Sequence, residues 1–201
     1  MWADRARGGS LFRHLRSAPK QRRKRYGAYD SRGRLAGKRP LADRPASAET
    51  RRHIGHGEID TVMGQGSRDC IVTVVDRKTG FGVIGKLRSR TAEELNGRTI
   101  SLLHRHDGRF RTMAADNGTE FHGYPEIEQA TGVRFYFATP YHSWERGSNE
   151  NFNGLVRQYL PKRTSMAGLT QSRCNAIATK LNRRPRKRLG YRTPEECFYG
   201  R

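Results

Sequence analysis

Three acids carry the chemistry open to this sequence. Asp116 closes the short apolar run Thr112-Met113-Ala114-Ala115 and is followed at once by Asn117-Gly118. Asn-Gly is a strong tight-turn signal, so the wording describes a strand that delivers a carboxylate at its own end. Open α/β sheets bind ligands in the crevice beyond their strand ends. Asp60 lies in Gly57-Glu58-Ile59-Asp60-Thr61-Val62-Met63-Gly64, which reads as a first strand, and Glu150 lies near the start of a helix. In that helix Phe152, Leu155, Val156 and Tyr159 recur at helical spacing and define a buried stripe. At 100° per residue Glu150 falls on the opposite, polar side with Asn153, Gly154 and Arg157, which places Arg157 to reach a phosphate. Carboxylates from two strands and a helix, in a strongly basic chain, make sense where divalent cations are held against nucleic-acid phosphates: such cations take oxygen ligands, and without them the acids would repel the polyanion.

The charge supports that partner. The chain has 201 residues and a formal net charge of +21, long enough for one well-buried domain with tails. No apolar run approaches membrane-spanning length, which turns the basic balance toward nucleic acid and away from a membrane. Cys70, Cys174 and Cys197 are odd in number and show no Cys-x-x-Cys spacing, so neither a disulfide framework nor a structural zinc site is expected, and a reducing cytosol fits best. Residues 1–50 hold 14 Lys and Arg against 4 Asp and Glu. They carry few apolar side chains, so the expectation is a largely irregular arm whose Arg22, Arg23, Lys24 and Arg25 contact phosphates, the plainer reading being a solvated linker.

The compact domain is expected from Arg51. Cys70-Ile71-Val72-Thr73-Val74-Val75-Asp76 reads as a central strand covered on both sides, and Phe81 to Leu87 as a third strand joined to it by a short turn, giving an antiparallel meander. Thr91-Ala92-Glu93-Glu94 opens a helix to about His106 with a capping-box signature. The Asp116 strand follows, then a short helix over Pro125 to Ala130 closed by Gly132, and a fifth strand over Arg134 to Thr139. After the Glu150 helix, a tail over 166–201 carries a helix from Ser172 to Asn182, a basic segment, and a last helix capped by Thr193-Pro194-Glu195-Glu196 that docks Phe198 and Tyr199. Asn117 reads as a residue of the turn.

This α/β order resembles the ribonuclease-H-like fold of polynucleotidyl transferases: a mixed five-stranded sheet, three leading antiparallel strands, flanking helices, and acids on the first strand, after the fourth and on a late helix. The wording His142-Ser143-Trp144-Glu145-Arg146-Gly147-Ser148-Asn149-Glu150-Asn151 with Gly154-Leu155-Val156-Arg157-Gln158-Tyr159-Leu160-Pro161-Lys162 resembles the catalytic region of bacterial insertion-sequence transposases of the IS-thirty family. The ending Arg188-Leu189-Gly190-Tyr191-Arg192-Thr193-Pro194-Glu195 is also similar to retroviral-type integrase cores. The resemblance implies a catalytic core over 51–165 whose acid triad is Asp60, Asp116 and Glu150. The 33 residues between the last two match the family's spacing, whereas Glu145, the substitute in another helix register, would leave 28.

It further implies two Mg2+ or Mn2+ ions, with Asp60 bridging and Asp116 and Glu150 each completing one site. The partners implied are insertion-sequence ends and target DNA, met by a homo-oligomer. Gly55-His56-Gly57-Glu58-Ile59-Asp60 stands where the family has a Gly-Asp-Trp-Glu-Gly-Asp-like string, and nothing resembling the family's helix-turn-helix precedes residue 50, so the expectation is an N-terminally shortened copy. The other readings are a remnant acting only as a basic nucleic-acid-binding protein, and a ribonuclease-H-like nuclease.

Overall fold

A computed structural model of the chain describes residues 7–10, 37–139 and 142–200. The chain divides into two compact units, Met1–Ser31 and Arg32–Arg201, and every element described below belongs to the second.

Five strands form one sheet: β1 (His56–Met63), β2 (Cys70–Asp76), β3 (Gly82–Leu87), β4 (Thr112–Ala115) and β5 (Arg134–Phe137), in the order β3-β2-β1-β4-β5. The first three make the antiparallel meander, while β4 runs parallel to β1 and β5 parallel to β4. Parallel neighbours need crossovers, supplied here by helices α2 (Ala92–His104) and α3 (Tyr124–Thr131). Helices α4 (Gly147–Val156) and α5 (Gln171–Asn182) follow the sheet, and α6 (Pro194–Tyr199) ends the fold.

Alternation along the strands sorts their side chains to two cores, one on each sheet face. Ile59, Val72, Val74, Met113, Ala115, Phe135 and Phe137 pack with Leu95, Leu102 and Leu103 of α2, Ile127 of α3 and Phe198 of α6. Val62, Ile71, Val75 and Ile84 pack on the other face with Phe152 and Val156 of α4 and Ile177 and Leu181 of α5. Thr73 is the polar break in that second row, and it lies opposite Asp60 in the β1–β2 register. Residues 58 and 60 have the parity that turns them to the α4 face.

The local signals act as their chemistry requires. Thr91 Oγ1 accepts from Glu94 N–H at the start of α2, where Glu94 Oε2 accepts from Arg88 N–H and so leaves that capping box half formed, and Thr193 with Glu196 forms a reciprocal capping box on α6. Gly132 ends α3 at φ 70°, a conformation that favours glycine. Phe198 is fully buried and its ring stacks on Phe81 at 4.3 Å. The edge of β3 is met by α5: Asn182 Nδ2 donates to Gly82 C=O and its Oδ1 accepts from Gly82 N–H, while Gln171 Nε2 donates to Ile84 C=O and its Oε1 accepts from Lys86 N–H.

One boundary differs from the sequence expectation. Where an irregular arm was expected to run to residue 50, a 3-10 turn (Leu41–Asp43) and helix α1 (Ala46–Thr50) fold against the sheet. Arg44 is buried there, donating to Thr112 Oγ1 at 3.0 Å and Gly57 C=O at 2.8 Å, so hydrogen bonds hold a segment that its apolar content alone would not. The Glu150 helix begins at Gly147, after a 3-10 turn over Ser143–Arg146. Residues 22–25 lie outside the described residues. No helix among the described residues is long and apolar enough to cross a membrane.

Candidate active site

The parallel pairing of β1 with β4 ends at Glu58↔Ala114. Two residues further along each strand stand Asp60 and Asp116, so the register sets these two carboxylates level where the strands part. Between them lies the guanidinium of Arg146. Its Nη2 donates to Asp116 Oδ2 at 3.2 Å, its Nη1 donates to Ile59 C=O at 2.9 Å, and Nη1 is 3.7 Å from Asp60 Oδ1. One cation is thus shared by two acids from neighbouring strands.

Each acid is also fixed locally. Asp116 Oδ1 accepts from Gly118 N–H at 2.9 Å, the tight turn read from the sequence. Asn117 spans that turn, its Nδ2 donating to Ala138 C=O at 2.8 Å and its Oδ1 accepting from Lys38 Nζ, which ties the end of β4 to the chain beyond β5. Asp60 Oδ1 accepts from Thr61 N–H and its Oδ2 accepts from Asn153 Nδ2, both at 2.9 Å. Burial raises the Asp60 pKa above the usual carboxylate value; Arg146 opposes the rise and the charges of Asp116 and Glu120 add to it. Two acids whose ionised forms disfavour each other call for positive charge at this point. All the side-chain donors they offer are carboxylate oxygens, which suit a hard divalent cation.

Glu150 is exposed on α4. Arg146, one turn before it, and Asn153, three residues after it, both reach Asp60, and positions so spaced share one side of a helix. Among the described residues no three His, Cys, Asp or Glu side chains converge closely enough to hold a metal ion, so Asp60 and Asp116 are brought together and Glu150 stands beside them without joining the pair. Glu145 is engaged elsewhere, its Oε2 accepting from Thr139 N–H at 2.8 Å and its Oε1 lying 3.3 Å from His142 Nδ1. Arg157 donates to the carbonyls of Met63, at 2.9 Å, and Leu160, at 3.4 Å, tying the end of α4 to the end of β1. Asn153 clasps Asp60, and its Oδ1 accepts from Thr73 Oγ1 at 2.8 Å.

Three positioning residues were not singled out from the sequence. Glu58 is fully buried; its Oε2 accepts from Asn149 N–H at 2.8 Å and its Oε1 lies 3.3 Å from Arg77 Nε, so it docks the first turn of α4 on β1. Glu120, also buried, accepts from Thr61 Oγ1 at 2.8 Å and Arg90 Nε at 2.6 Å, bracing the residue beside Asp60. Arg146 is the third. An acid inside an apolar strand, in phase with Asp60, is the signal that Glu58 offered.

No family model matches the chain. A transposase for insertion sequence element IS4351 from Bacteroides fragilis is 41% identical over 198 residues, covering 98% of this chain and 61% of the relative. Transposase InsI for insertion sequence element IS30A from Escherichia coli (strain K12) is 38% identical over 160 residues, 79% of this chain and 42% of the relative. A transposase for insertion sequence element IS1086 from Cupriavidus metallidurans is 36% identical over 185 residues, covering 92% and 55% respectively. The chain therefore spans roughly half the length of these relatives. Among solved structures, the catalytic core domain of BIV integrase superposes with a TM-score of 0.57 at 18% identity, over 73% of this chain and 94% of that one, which shows the ribonuclease-H-like fold. By its sequence the chain is similar to IS30-family insertion-sequence transposases over most of its own length, and its sheet has the ribonuclease-H-like fold.

Proposed function

We propose that the chain is the catalytic segment of a DDE polynucleotidyl transferase, which cuts DNA strands at the ends of an insertion sequence and joins them to target DNA. The observation that carries this reading is the level pair Asp60 and Asp116 sharing one cation at the open end of parallel strands. Asp60, Asp116 and Glu150 would hold two Mg2+ or Mn2+ ions, whose chemistry when bound is to activate the attacking hydroxyl and neutralise the leaving oxygen. Asp60 is kept in one orientation by Thr61 and Asn153, and Asp116 by Gly118, so both carboxylates are aimed before substrate arrives. Glu150, on the side of α4 that it shares with Arg146 and Asn153, would complete the triad by closing on the pair. Phosphate contacts from Asn153 and Arg157 would hold DNA at the site, the basic run Arg22, Arg23, Lys24 and Arg25 would add phosphate contacts of its own, and pairing of two ends calls for a homo-oligomer at the bacterial nucleoid.

The test is nicking and joining of a labelled DNA carrying insertion-sequence ends, with Mg2+ or Mn2+ at low salt, where phosphate contacts are strongest. Intact chain should cleave and join, and Asp116→Asn should abolish both while still binding DNA. Cleavage without joined product would make the chain a nuclease. Binding without cleavage under every metal would leave a basic nucleic-acid-binding remnant.

A further inference from the structure

A cavity of about 270 Å³ opens beside the first turn of α4, on residues that the catalytic reading does not use. Arg51, Arg77, Arg186 and Arg188 line it together with Gly147 and Ser148, and its described lining includes no acid. The nearest carboxylates are committed. Glu49 and Glu58 hold Arg77, whose side chain is 7% exposed, and Asp76 spends its oxygens on Gly55 N–H and on Thr79 N–H and Oγ1. Arg188 places its Nη1 on Lys78 C=O at 2.6 Å, which fixes the side chain without neutralising it. Burial, and after it the nearby charge of Arg51, push the Arg188 pKa down, against an opposing pull from Asp76. Ser148 Oγ is buried there with no hydrogen-bond partner.

Cations held close and an unmet hydroxyl favour one kind of guest, a compact anion with several acceptor oxygens. Guanidinium forks suit tetrahedral phosphate oxygens in particular. The volume is several times the roughly 30 Å³ share of one water, enough for a phosphate group with part of its hydration. We infer that this cavity is a phosphate-binding site, built by Arg51, Arg186 and Arg188 beside the first turn of α4. Its guest is a phosphodiester of a DNA strand or a free phosphate. The first source rests on the proposed DNA-processing function, while the site itself does not. Since Arg146, which holds the acid pair, immediately precedes Gly147, a phosphate seated here would fix the helix that carries Glu150.

The experiment uses the intact chain, Arg188→Gln and Arg51→Gln. Arg51 is exposed, so its variant leaves the fold undisturbed if loss of the Lys78 contact unsettles Arg188→Gln. Inorganic phosphate should raise the melting temperature of the intact chain saturably, beyond a chloride control of equal ionic strength, and less so in both variants. For the DNA source, the dependence of log Kobs on log salt for a non-specific duplex should become shallower by about one unit per arginine removed, alike for every sequence. A phosphate shift retained by the variants, or absent from the intact chain, overturns the site. A phosphate shift lost in the variants with an unchanged DNA slope assigns the site to a free phosphate. Failure of the intact chain to bind duplex counts against the DNA-processing function, and the phosphate titration still decides the cavity.

Discussion

The backbone N–H of Asn149 donates to the fully buried carboxylate of Glu58 at 2.8 Å, joining the helix of one candidate metal ligand to the strand of another. Glu58 in turn answers Arg77, so a buried charge and a helix terminus depend on one side chain. Glu58→Ala should cost about 3 to 5 kcal/mol, because it leaves Arg77 short of a partner. Glu58→Gln, which keeps the shape and an acceptor, should cost about 1.5 to 3 kcal/mol. Urea unfolding gives both values. In the glutamine variant, cleavage should fall through both kcat and KM for DNA, since the displaced helix carries Glu150 together with Asn153 and Arg157.

Arg146 supplies the positive charge that Asp60 and Asp116 share. A bound divalent cation would meet the same oxygens, so guanidinium and metal should compete. Arg146→Gln should lower the stability of metal-free protein by about 1.5 to 3 kcal/mol, the scale of hydrogen bonds to charged groups. It should also increase the stabilisation gained on adding Mn2+. Thermal melts with and without Mn2+ check both parts, and an equal Mn2+ increment in the two proteins would show that they do not compete.

His56 is buried between Ser47 and Thr112, its ring nitrogens 3.1 Å and 2.8 Å from their hydroxyls. Burial first, then Arg44 and Arg111, lower its pKa to about 4 from 6.5. The unfolded chain therefore takes up the proton before the folded one does. Stability from this residue is complete above the unfolded value and is lost as pH falls from about 6.5 toward about 4, by roughly 2 to 3 kcal/mol. Unfolding free energies at about pH 7.5 and about pH 4.5 should show that loss in the intact chain and a flatter limb in His56→Gln.

Strand parity made much of this architecture legible. The run Ile71-Val72-Thr73-Val74-Val75 reads as a strand covered on both faces, and its residues do divide between two cores. Asp116 before Asn-Gly is a carboxylate at a strand end, and the Gly118 contact is the turn that this spelling implies. Register was beyond reach. That Asp60 stands level with Asp116 follows from how β1 slides along β4, and nothing local to either strand specifies it. Arg146 and Glu58 were equally hidden, because their contacts to Ile59 C=O and Asn149 N–H reach across 87 and 91 residues of sequence. Residues 41–50 read as an arm because they offer few apolar side chains, yet Arg44 anchors them through polar contacts that composition does not count.

The side chains of Asn182 and Gln171 have a consequence for how copies of this chain coexist. An edge strand shows a row of unpaired amides and carbonyls, a template on which another molecule's strand can grow. On β3 the two ends of α5 occupy that row with side-chain amides, each presenting a donor and an acceptor as a neighbouring peptide unit would. The C-terminal segment thereby acts as an imitation sixth strand that cannot be extended. A chain losing it would keep both acids and gain an adhesive border, so its first failing would be clumping through sheet edges.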